Sequence, residues 1–177
     1  MIFLKRLSVG VLLSVTAATA IASSAGAQLP RPSPSSRYWA AVEEALGRKG
    51  TLNPGGVLKF SFPRNDLRVI ADGVIVKPAL ALGSWVAFKR IGDHVMVMGD
   101  LVVLDGEVAS VMASLQQNGV EQTALHNHLL HETPRVMYMH ISAMGDAVKI
   151  ATAIHDALAL SKTRFTAPAA GDADRCR

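Results

Sequence analysis

Four of the chain's six histidines crowd into one stretch, "ALHNHLLHETPRVMYMH", from Ala124 to His140. Successive side chains of a β-strand alternate between its faces, so His126 and His128 share one side if this segment is extended. A five-residue loop, His131 to Arg135, would pair Leu130 with Val136. That register sets His128 opposite Tyr138 and His126 opposite His140, with directly paired Cβ atoms ~4.5–5.5 Å apart. Three imidazoles on one face are donors for a divalent transition metal. Zn²⁺ is the first choice, and Cu, Ni or Fe also accept imidazole nitrogen. Glu132 in the loop is a candidate fourth ligand, or a general base toward water. Arg135 is a candidate for neutralising an anionic substrate or transition state. The alternative is three histidines hydrogen-bonded separately at the surface. A one-residue slip of the hairpin would carry His140 to the other face and remove the site.

The remaining chemistry-bearing residues read as follows. His131 at the loop tip and His155 on the polar side of a helix are exposed bystanders, and His94 opens a strand without a visible partner. Met96, Met98, Met137 and Met139 form two M-x-M pairs, which suit Cu(I) or, more simply, core packing. Arg64 and Asp66 in "PRNDL" are either an anion clamp and its partner or a turn with a surface ion pair. Glu107 is placed to favour a helix dipole. Asp100 interrupts an apolar strand right after Gly99, and a buried carboxylate needs a partner, for which Arg135 or Arg64 is available.

These residues need a sheet to hold them. The spacing predicts a helix at about 37–48, with Tyr38, Ala41, Val42 and Leu46 on its apolar side and Gly50 as its left-handed cap. Short β-like runs follow at 57–62, 67–71 and 74–78, the last two joined by the tight-turn signal "ADG". A hairpin covers 84–91 and 94–103, and its "VMVM" segment is apolar on both faces, as in a central strand. A helix capped by Asp105 carries Val108, Val111, Met112 and Leu115 and closes at Gly119. Two strands, about 120–130 and 135–142, hold the histidines, with Met137, Met139, Ile141, Leu125 and Leu129 on the opposite, helix-facing side. The last helix is capped by Asp146, with Val148, Ala151, Ile154 and Leu158 inward. The fold class is α+β: an antiparallel sheet with helices on one face and the C-terminal order β-β-α-β-β-α.

The ends read differently. Lys5 and Arg6, the apolar run "LSVGVLLSVTAATAIA" and Ala25-Gly26-Ala27 have the layout of a signal peptide over 1–27. Cleavage after Ala27 would remove both of those basic residues and lower the net charge from +4 to +2. The expected product is periplasmic or secreted, without a membrane anchor. A Pro/Ser linker at 28–36 precedes a single domain at 37–163 and a disordered tail at 164–177. The one cysteine, Cys176, allows no internal disulfide. No Lys/Arg stripe marks a nucleic-acid surface. No G-x-S-x-G, P-loop or dinucleotide fingerprint is present, which argues against covalent catalysis and nucleotide binding.

The strings "FPRNDLRV", "DGV", "WVAFK", "VMVMGDLVVLDGEV", "ALHNHLL", "ETPRVMYMH" and "GDA", in this order over roughly 40–160, resemble the LppY/LpqO-type domain of exported bacterial proteins. The resemblance implies export and marks His126, His128, Glu132, Pro134, Arg135 and His140 as shared motif positions. It implies no activity. Two functions stay open: an exported metal site, with metal-assisted hydrolysis as its chemistry, and a non-enzymatic module that binds a small molecule or peptide or sequesters and delivers metal.

Overall fold

The structure is a computed structural model, and it describes residues 34–165. The signal-peptide reading at 1–27 and most of the linker and tail lie outside the described residues. The final part of the linker is helical, because α1 spans Pro34–Leu46. It ends at Gly47, whose φ of +67° makes it the left-handed cap in place of the expected Gly50. Trp39, Val42 and Leu46 are its buried residues, while Ala41 faces outward.

Among the described residues nine strands follow in two sheets. In chain order they are β1 Thr51–Asn53, β2 Val57–Pro63, β3 Val69–Ala71, β4 Val74–Val76, β5 Gly83–Ile91, β6 His94–Leu104, β7 Glu121–His126, β8 Glu132–Thr133 and β9 Val136–Gly145. The large sheet has the order β1-β2-β5-β6-β9-β7 and is antiparallel throughout. The apolar "VMVM" strand is central, as expected. The small sheet, β4-β3-β8, is tied by a turn at Asp72-Gly73, both with positive φ. A short helix, α2 Pro78–Ala81, leads into β5.

Helix α3, Val108–Gln117, and helix α4, Ala147–Ala159, complete the C-terminal β-β-α-β-β-α order, with β8 as a two-residue addition. Asp105 does not cap α3; residues Asp105–Glu107 form a 3-10 turn before it. Asp146 caps α4 by accepting from the Lys149 N–H at 2.9 Å. Val148 is outward, and Ala147, Ile150, Ala151, Ile154, Ala157 and Leu158 face the core.

Strand parity sorts the two faces of the large sheet. Phe60, Phe88, Val97, Leu101, Met139 and Ile141 lie on one, under α1, α3 and α4. Among the described residues the other face is covered only at one end, where Val102, Val136 and Tyr138 pack with Val69 and Val76 of the small sheet and Leu82. Its far end is open. Met96, Met98 and Met144 stand there 38 %, 52 % and 64 % exposed, so core packing holds for Met139 but not for the M-x-M pair on β6. Among the described residues no helix is long and apolar enough to cross a membrane.

Candidate metal centre

The histidine segment leaves its strand earlier than the sequence suggests. β7 ends at His126, and β9 begins at Val136. The connection runs over 127–135 because β8 turns away from β9 and pairs with β3: Ile70 lies opposite Thr133, and Ala71 opposite Glu132. The longer connection shifts the register. His126 lies opposite Tyr138 and Ala124 opposite His140, with a bulge between Gln122 and Ala124. The expected pairs, His126 with His140 and His128 with Tyr138, are therefore off by two residues. An even shift preserves the face, which is why the side-chain cluster survives the error.

His126, His128 and His140 each offer a ring nitrogen, and these three atoms lie within 4.8 Å of one another. His126 and His140 rings stack at 4.9 Å with an angle of 29°. His128 is held in the loop by stacking on Tyr138 at 3.6 Å and 14°. Its Nε2 lies 3.0 Å from Nε2 of His126. Tetrahedral Zn²⁺ with Zn–N of ~2.0–2.1 Å wants its nitrogens about 3.3 Å apart. The cluster brackets that spacing, and its all-imidazole donor set suits a divalent transition ion. His128 is exposed, and His126 and His140 are partly exposed.

Tyr138 is the floor of the site. It is 1 % exposed, and its hydroxyl donates to the Ala81 carbonyl at 3.0 Å. Burial, and then the charges of Asp100 and Glu132, push its pKa up to about 12. Asp100 lies opposite His140 on one side and Trp85 on the other. An open cleft of about 400 Å³ runs along this face, and Lys59, Ser61, Trp85, Asp100, His128 and Tyr138 are among its lining residues. Lys59 Nζ rests 4.5 Å from the centre of the Trp85 ring.

The structure separates the other candidate residues from the cluster. Glu132 is outside the group of three ligand atoms. Its Oε1 accepts from Asn127 Nδ2 at 3.3 Å and from the Val136 N–H at 3.4 Å, bracing the loop. Arg135 is exposed, as is His131, which has a φ of +60°. His94 is exposed at the β5–β6 turn, and His155 leans on Phe165 with ring centres 4.3 Å apart.

Arg64 is neither a surface ion pair nor an anion clamp: it is fully buried. Nε and Nη2 donate to Asp66 at 2.9 and 3.0 Å. Nη1 donates to the Val102 carbonyl at 2.8 Å and to Glu107 at 2.9 Å, and Nη2 also reaches Glu107 at 3.1 Å. Burial alone would lower the guanidinium's pKa, but the hydrogen bonds and charges of Asp66 and Glu107 outweigh it and raise it. Every donor direction of the fork is taken. Glu107 is therefore a partly buried counter-ion, beyond any helix-dipole role. Neither Arg64 nor Arg135 partners Asp100, whose Oδ1 is buried without a hydrogen bond.

A family model described as "Domain of Unknown Function (DUF1259)" matches residues 40–160. No curated protein and no solved structure matches the chain.

Proposed function

From the chain's membership of the DUF1259 domain family, to which it belongs over residues 40–160, and from its imidazole cluster, we propose an exported metal-binding domain of the LppY/LpqO type. The observation that carries the reading is the convergence of three ring nitrogens within 4.8 Å at the edge of an open cleft. His126, His128 and His140 hold a divalent transition ion, with Zn²⁺ the best fit to an all-imidazole set. Three protein ligands leave a coordination position open, and the cleft is where a small molecule or short peptide would reach it. Such an ion, when bound, supplies Lewis-acid polarisation and lowers the pKa of water for hydrolysis. Glu132 keeps the loop that carries His128 in place and is the candidate general base. Arg135 at the loop's end is available to an anionic ligand.

The non-enzymatic reading, a module that holds metal for sequestration or delivery, draws on a different feature. The site is shallow and its His128 is exposed, so an ion could be passed on easily. Elemental analysis and Zn²⁺ titration of tag-free protein test the common premise. One equivalent of metal is expected, lost in His126→Ala/His128→Ala. Protein with no bound metal and an unchanged Tm in excess Zn²⁺ refutes it. In Glu132→Gln, retained metal is expected of a residue outside the ligand group, and lost metal would show that the loop it braces is needed to hold the ion.

A further inference from the structure

Three imidazoles are one half of many metal centres. The other half is the carboxylate that receives the N–H of a ligating ring, fixes its tautomer and raises its basicity. Glu132 is the obvious carboxylate by sequence, but its Oε1 is occupied by Asn127 and Val136. Asp66 and Glu107 are both consumed by Arg64. Asp100, which faces the cluster across the sheet, has no such commitment at one of its oxygens. Asp100 Oδ1 is buried and lacks a hydrogen-bond partner among the described residues, a rare condition for a carboxylate oxygen in a folded protein.

Its position is informative. Asp100 sits directly across the β6–β9 ladder from His140 and lines the cleft beside His128 and Tyr138. Directly opposed residues share a face, with Cβ atoms ~4.5–5.5 Å apart, a separation that a ring N–H to carboxylate hydrogen bond can span. Its strand neighbours do not explain it: Gly99 and Leu101 face the helices, and the cross-strand residue on β5 is Trp85, whose ring is engaged by Lys59. A buried carboxylate oxygen with no donor is a cost that the rest of the fold gives no reason to keep.

We infer that Asp100 is the positioning carboxylate of the centre, accepting the ring N–H of His140 that points away from the ion. This rests on the metal reading above. It assigns Asp100, rather than Glu132, as the acid that tunes the ligand set. The negative charge of Asp100 offsets part of the ion's charge at the inner wall of the cleft. A bound ligand would therefore meet Asp100 on one side and the exposed loop on the other.

The test is Co²⁺ binding to full-length, tag-free protein, read by its visible absorption and by competition with a chelator of known affinity. Wild type is expected to bind one Co²⁺. Asp100→Asn is expected to bind 10- to 100-fold more weakly, the usual effect of losing such a partner, with the shape of the visible bands retained because all three imidazoles stay. Affinity within threefold of wild type overturns the inference. So does a band shape altered as in His140→Ala, which would make Asp100 a ligand. The metal-free Tm is the control for a purely structural role. It should stay level or rise in Asp100→Asn, since an unpartnered carboxylate has been removed; a fall of several degrees in EDTA refutes the assignment. Wild type that binds no Co²⁺, Zn²⁺ or Cu²⁺ refutes the metal reading itself, an outcome distinct from failure of the variant alone.

Discussion

Substituting Glu107 by glutamine tests the reading of Arg64 as a structural cation. The carboxylate accepts from Arg64 Nη1 and Nη2, from the Leu104 N–H at 2.8 Å and from the Lys162 N–H at 3.3 Å. An amide of the same shape has one acceptor oxygen and turns an NH₂ group toward donors. At least one buried N–H is then left facing another. Breaking a buried pair typically costs ~3–5 kcal/mol, and an orphaned donor ~1–3 kcal/mol within that total. Asp66 still neutralises the guanidinium, which places the expected loss at the lower end, about 3 kcal/mol. For a domain of this size that is a fall in Tm of roughly 10 °C. Urea unfolding followed by tryptophan fluorescence and far-UV circular dichroism measures it. The comparison is Glu43→Gln, which weakens a pair with the exposed Lys49 while Oε1 can still accept from the Gly50 N–H, and should cost under ~1 kcal/mol. If Glu107→Gln loses no more than that control, the buried ion network does not hold the fold and the reasoning fails.

Two further outcomes follow from the centre of the sheet. Tyr138 has a folded-state pKa of about 12 against an ordinary value of 10, so the unfolded chain loses its proton first. In metal-free protein, stability should therefore fall between about pH 10 and 12 by roughly 2–3 kcal/mol, and Tyr138→Phe should remove most of that slope; an identical slope in the variant contradicts the assignment. Gly99 has no room for a side chain: a Cβ would lie 2.6 Å from Val86 Cγ1 and 2.8 Å from the Trp85 carbonyl oxygen. Gly99→Ala should cost about 1–3 kcal/mol in urea unfolding, and a neutral result would mean that β5 and β6 can separate more easily than their packing implies.

Periodicity was enough to read the faces of β9, because it is local. Met139 and Ile141 lie on the helix side and His140 on the other, whereas Leu129, past the end of β7, packs around the small sheet instead of on the expected helix side. What failed depended on distant segments. The hairpin register was missed because β8 pairs with β3, some sixty residues earlier, and nothing in "HETPR" announces that partner. Met96 and Met98 were assigned to a core because parity cannot tell which face a second layer covers, or how far along it extends. Arg64 was open between two roles because its partner Glu107 is 43 positions away. Asp100 carried the most useful signal, a charge interrupting an apolar strand, but only the cross-strand pairing identified the histidine it meets. The histidine cluster survived a wrong register because the error was even.

The connection between β7 and β9 has a mechanical consequence. His126 and His140 belong to the large sheet, whereas His128 rides on a segment sewn to the small one through β8. An ion gripped by all three would act as a rivet through both layers. Its binding free energy would then appear as resistance of the small layer to peeling away, with the slowing of amide exchange greatest along β3 and β8, remote from the coordinating rings.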